Sequence, residues 1–234
     1  MRAEEPTART DVSSARGRTT VFVVGICAAI VFVILRAVVA AGDHVPLPMD
    51  LWWHDLMLAA LNDIGIVIAW VPAVVGGTVG MIVVGALLIG LLLWRGRRWD
   101  AATLAIGMVA VVAIGATMAA VIGRTRPADS LAESMATSFP SGHTAVATTV
   151  VVILGLAIGR RPVWVLGAIW VLTMMWSRTY LQAHWLSDVV AGMLEGIAVA
   201  AFVWVAVAAA RDRRAVRTVP LPTRETPMEG SPLS

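Results

Sequence analysis

The sequence predicts an all-α membrane protein, a polytopic bundle of six transmembrane helices with one short interfacial helix. Three observations carry this. The chain of 234 residues is 59% hydrophobic and only 14% charged, whereas a soluble domain averages about 45–50% apolar and about 25% charged. Its apolar runs approach the roughly 20 residues that a membrane span needs. Its basic residues, all 18 of them arginine and none lysine, fall in clusters between those runs. The same composition excludes other classes. Disorder needs low hydrophobicity and high charge, so it is confined to the ends. Cys27 is the single cysteine, which rules out a disulfide scaffold. A net charge of +3 is too little, and too diluted by apolar residues, for a nucleic-acid partner.

The elements follow in order. Residues 21–41, 101–122 and 186–209 are apolar runs of spanning length, and 144–159 and 163–176 are shorter, with outer ends expected below the membrane surface. The run 56–94 is ambiguous, and charge resolves it. Cytoplasmic segments collect Arg and Lys. Fourteen of the 18 arginines lie in the N-terminus, at 95–98, at 160–161 and in the tail after residue 210. Placing all four segments inside requires 56–94 to make one net crossing. The crossing is assigned to about residues 72–94, and 50–70 becomes a half-submerged helix on the outer face. The domain plan is a cytoplasmic tail over 1–19, a six-helix domain over 20–210, and a disordered cytoplasmic tail over 211–234. A cleaved signal peptide over the first apolar run is the weaker reading of the N-terminus.

Arg124, Arg126 and Arg178 fall on the outer side, against the charge rule, and charge beside a membrane core is costly and usually functional. Phe139-Pro140-Ser141-Gly142-His143 opens the fourth span, where free N–H groups and the helix dipole suit an anion such as phosphate. Gly142 permits close backbone approach. His143, in the first turn, is placed to donate a proton. His184 and Asp188 are spaced i,i+4 and share a helix face. Alone, that pair reads as a helix-surface hydrogen bond. Beside a second histidine, an anion-binding helix start and three arginines, it reads as a nucleophile held by a carboxylate, with positive charge around a phosphoryl group.

Pro140-Ser141-Gly142-His143 and Ser177-Arg178-x5-His184-x3-Asp188 resemble the second and third motifs of the type-2 phosphatidic acid phosphatases. Bacterial undecaprenyl-diphosphate phosphatases and vanadium haloperoxidases share that superfamily. Gly123-Arg124-Thr125-Arg126-Pro127 is similar to the end of the first motif, Lys-x6-Arg-Pro. Motif order and span layout extend the resemblance over about residues 21–209. One departure stands out: the first-motif lysine would occupy position 119, which is alanine.

The resemblance implies hydrolysis of a lipid phosphate or diphosphate (undecaprenyl diphosphate, phosphatidic acid or phosphatidylglycerophosphate) at the outer face, without metal or cofactor. It implies His184 as nucleophile, Asp188 as its orienting carboxylate and His143 as acid and base. Arg126, Arg178 and the backbone N–H groups of Ser141 and Gly142 are expected on the phosphoryl oxygens, with Arg124 a further candidate contact. The implied partners are the lipid substrate and the bilayer. The rival reading is a non-catalytic lipid-phosphate binder or carrier, which needs the arginines but not the two histidines and the aspartate. Asp129 and Glu133 are expected to be solvated, His44 and His54 interfacial, and Glu195 a packing residue deep in the last span.

Overall fold

The apolar runs do become helices. The computed structural model describes residues 15–132 and 137–217, and every regular element among them is helical: α1 (Ala15–Ala41), α2 (Pro48–Ala59), α3 (Asp63–Val75), α4 (Thr78–Trp94), α5 (Arg98–Ile122), α6 (Gly142–Ile158), α7 (Arg161–Tyr180) and α8 (Leu186–Arg217). Glu133, residues 1–14 and residues 218–234 lie outside the described residues.

By length and composition α1, α5 and α8 are apolar enough to cross a membrane, and α3 with α4 forms a fourth candidate, bent by 53°. The outward faces agree: Val79, Leu87 and Val109 are 75%, 69% and 72% exposed, so these helices present apolar surface where a soluble protein would present charge.

Several boundaries differ from expectation. The interfacial helix ends at Ala59, because Asn62 starts a new helix by accepting the Gly65 N–H at 2.9 Å. The break in the following run falls at Gly76–Gly77, not at Pro72, which is accommodated inside α3. Ser177 and Arg178, expected in a loop, occupy the last turns of α7. Ser177 Oγ donates to the Ala69 carbonyl at 2.6 Å, which ties this end of α7 to α3 and lets a polar residue stay helical and buried. Residues 211–217, expected to be disordered, continue α8. Four of these seven residues are arginine, a good helix former, and Asp212 pairs with Arg18 of α1.

α8 is the hub, packing against α1, α5, α6, α7 and α2. Leu104, Val111, Ile153 and Val199 fill the space where α5, α6 and α8 meet. Two smaller clusters hold the loops at the other end. Phe139 is fully buried and stacks on Phe32 at 6.1 Å. Leu181 is fully buried beside Tyr180, Met57 and Ala69. Tyr180 Oη donates to the Ala60 carbonyl at 2.9 Å and accepts from the Asn62 N–H at 3.1 Å, which fastens the end of α7 to the α2–α3 junction.

Candidate active site

The turn from α7 to α8 carries His184. The Arg178 carbonyl accepts from the N–H groups of Ala183 (3.0 Å) and His184 (3.2 Å), and Gln182 adopts a left-handed backbone at φ 51°. The turn therefore doubles back and buries the imidazole. Its Nδ1 lies 2.7 Å from the Ser138 carbonyl. A carbonyl only accepts, so Nδ1 carries the proton and Nε2 holds the lone pair.

This differs in detail from the expected His–Asp hydrogen bond. Asp188 Oδ2 is 3.7 Å from Nδ1, an electrostatic distance and not a hydrogen bond. The carbonyl fixes the tautomer, and the carboxylate supplies negative charge. Burial, the largest influence, pushes the His184 imidazole below the usual histidine range. Asp188 opposes this, and the nearby Arg178 and Arg126 guanidinium groups reinforce it.

The start of α6 is bound to the same place. Ser141 N–H donates to the Asp188 carbonyl at 3.0 Å. A Cβ at Gly192 would collide with the Ser141 carbonyl oxygen, so glycine there lets α6 and α8 touch backbone to backbone. The expectation that the Ser141 N–H faces phosphate is thus corrected: Asp188 uses it, and Ser141 is fully buried, its Oγ accepting from Thr144 at 3.2 Å. Gly142 is exposed and His143 half-buried, so the open side of the helix start begins at Gly142. First-turn N–H groups have no intrahelical acceptor, so they are open to an anion. A Cβ at Gly77 would lie 3.8 Å from His143 Nε2, so the α3–α4 break borders the same histidine.

Arg126 is held by the Ala183 carbonyl and by the Thr137 carbonyl at 2.7 Å. Arg178 is 1% exposed at the end of α7. The structure thus brings His184, Asp188, Arg126, Arg178 and the start of α6 together.

Arg124 is a second correction. Its guanidinium is fully buried, with Nη1 donating to Asp188 Oδ1 (2.6 Å) and Ser187 Oγ (2.7 Å), and Nη2 to Asp50 Oδ2 (2.7 Å) and the Val45 carbonyl (3.2 Å). Nε faces the His44 carbonyl at 3.4 Å. Its donors are committed to protein, so Arg124 braces Asp188 instead of meeting phosphate. Nor does it replace the lysine absent at 119. Ala119 lies in the last turn of α5, four residues after Gly115, which abuts Glu195 of α8. Glu195 is 2% exposed and lies against Gly115 of α5, but neither of its carboxylate oxygens has the hydrogen-bond partner that a packing role was expected to bring.

Asp50 is the residue that sequence reasoning missed. Its one signal was an acid in the first turn of a helix, a position that ordinarily serves capping. Asp129 is paired, not merely solvated: His54 Nε2 lies 3.3 Å from its Oδ2, and His54 packs on Trp185 at 5.2 Å.

Comparison with known proteins finds relatives in sequence and in fold. An undecaprenyl-diphosphatase of Sulfolobus acidocaldarius is 34% identical over 113 residues, which span 45% of this chain and 54% of that protein, so the chain spans about half the length of this relative. The fold matches the transmembrane PAP2-type phosphatidylglycerolphosphate phosphatase of Bacillus subtilis with a TM-score of 0.68 at 18% identity, over 83% of this chain and 98% of that one. It also matches LpxE of Aquifex aeolicus with a TM-score of 0.60 at 20% identity, over 68% and 96%. Residues 100–212, a little under half of the chain, match the model of the PAP2 superfamily.

Proposed function

We propose that the protein hydrolyses a lipid phosphate or diphosphate at the outer face of the membrane, through a phosphohistidine on His184. The observation that carries this is the fixed tautomer: with Nδ1–H held by the Ser138 carbonyl, the Nε2 lone pair belongs to a buried imidazole flanked by Arg126 and Arg178. Nε2 attacks phosphorus, and the ring becomes a phosphoimidazolium whose positive charge Asp188 stabilises from 3.7 Å. His143 gives its proton to the leaving oxygen. It then takes a proton from water, which attacks phosphorus and releases phosphate from His184. Arg126, Arg178 and the Gly142 N–H hold the phosphoryl oxygens through both steps.

The bent α3–α4 pair supports a lipid substrate. Val74, Val79, Gly80 and Val83 line an apolar groove at the bend, and this groove includes Gly77 beside His143. An acyl or prenyl tail lying there leaves its headgroup at the histidine. Six crossings follow if α1, the α3–α4 pair, α5, α6, α7 and α8 each cross once, with α2 on the outer surface. The arginine clusters then put both termini in the cytoplasm. The name of the Sulfolobus relative makes a polyprenyl diphosphate the first substrate to test.

The test is phosphate release by purified protein from undecaprenyl diphosphate, phosphatidic acid, phosphatidylglycerophosphate and a water-soluble phosphate ester. Release from at least one lipid, lost in His184→Ala with lipid binding retained, supports the reading. Unchanged release by His184→Ala sinks it, and lipid binding without release by the unaltered protein favours a carrier.

A further inference from the structure

Asp50 is fully buried, and both its carboxylate oxygens are in use. Oδ2 accepts from the Leu47 N–H (2.9 Å), Ser187 Oγ (2.8 Å) and Arg124 Nη2 (2.7 Å), and Oδ1 accepts from the Ser187 N–H (2.7 Å). Capping α2 needs only the Leu47 bond. The other three reach across the fold to the arginine that holds Asp188 and to the residue preceding Asp188. Arg124 then stands between two carboxylates, bound to Asp50 on one side and to Asp188 Oδ1 on the other. The remaining oxygen of Asp188, Oδ2, accepts the Trp185 N–H at 2.9 Å and faces His184 Nδ1. The catalytic carboxylate is thereby fixed in orientation. Its charge at the nucleophile depends on how the guanidinium is shared.

We propose that Asp50 is a positioning residue for the reaction at His184: by holding Arg124 from the side of α2, it fixes Asp188 and preserves that residue's negative charge at the imidazole. This rests on the phosphohistidine reading above. With Asp50 neutral, Arg124 is compensated by Asp188 alone, and the phosphoimidazolium loses part of its stabilisation. Asp50 does not meet the substrate, so the effect belongs to the chemical step and not to binding. Among the described residues, the charged groups acting on His184 are Asp188 on α8, Arg178 on α7 and Arg126 in the loop after α5. Less negative potential among them makes the imidazole harder to protonate.

The experiment compares the full-length Asp50→Asn protein with the unaltered one on whichever lipid phosphate the latter hydrolyses. The loss of a charge-assisted bond predicts a kcat lower by roughly ten- to a hundredfold, with little change in KM. The acid limb of kcat/KM should move to lower pH. In an Asp188→Asn background the same substitution should cost little more, since both act through one carboxylate. An unmoved acid limb, or a full multiplicative loss in the Asp188→Asn background, overturns the proposal. Should Asp50→Asn fail to fold, Ser187→Ala removes the hydroxyl bridging Arg124 and Asp50. A smaller fall in kcat with the same direction of pH shift supports the proposal, and an unaltered rate and profile overturns it. His184→Ala run in parallel separates the two ideas. If it is inactive while Asp50→Asn behaves as the unaltered protein, this inference alone fails; if it is active, the phosphohistidine reading fails.

Discussion

Replacing Arg124 with methionine should unfold the protein more readily and slow it, because this arginine is structural. The side chain is fully buried between Asp50 and Asp188, and three of its bonds, to those two carboxylates and to Ser187 Oγ, are 2.7 Å or shorter. Removing one partner of a buried ion pair leaves an uncompensated charge and costs about 3–5 kcal/mol. Here one removal strands two carboxylates, so the upper part of that range is expected. For a chain of this size about 1 kcal/mol shifts Tm by about 2–4 °C, which gives a fall of roughly 10–20 °C. Arg124→Lys should be intermediate, since a compact ammonium satisfies one carboxylate and lacks the planar fork. The assay is thermal unfolding of the purified protein in detergent, followed by phosphate release below the new Tm. The reasoning is refuted if Arg124→Met keeps its Tm within about 2 °C and raises KM with kcat intact, the behaviour of a phosphate contact.

Other expectations follow from the same geometry. His184 must be unprotonated to attack, and burial lowers its basicity. Activity should therefore persist as pH falls to about 6.5, the ordinary histidine value, and decline only below it. A kcat/KM profile with its acid limb at or above that value contradicts this. Gly192→Ala places a methyl group against the Ser141 carbonyl. It should cost about 1–3 kcal/mol and lower kcat and Tm together, so an unchanged Tm and kcat would show that α6 does not need this approach. Ala119→Lys adds the lysine of the first motif that this stretch resembles. A gained charged hydrogen bond predicts roughly a tenfold rise in kcat/KM on some lipid; no rise on any lipid would mean the pocket has adapted to alanine.

The grouping of the candidate site residues was more legible in the sequence than the fold that holds them. The residues of the second and third motifs sit within a few positions of one another, but His184 and Asp188 do not share a helix face as their i,i+4 spacing suggested: His184 lies in the turn before α8, and Asp188 lies in the first turn of α8. α1, α5 and α8 were legible because long apolar runs have one structural solution in a membrane. The crossing was started at about residue 72, inside α3. A proline inside an apolar helix is tolerated when neighbours satisfy the freed backbone, and here the chain bends at Gly76–Gly77 instead. Arg124 was misread because its partner Asp50 lies 74 residues away, and nothing local distinguishes an arginine facing substrate from one facing carboxylates. Ser141 was misread for a related reason. Its N–H sits where a helix start offers a free donor, but the backbone of α8 comes close enough to take it.

The most direct test of the central claim is to trap the intermediate. The protein is mixed with a lipid phosphate carrying labelled phosphorus, quenched in alkali within a turnover, and mapped by mass spectrometry. The account predicts an acid-labile phosphoryl group on His184 Nε2 and none in His184→Ala. Label on any other residue, or turnover with no labelled histidine at any quench time, would contradict it.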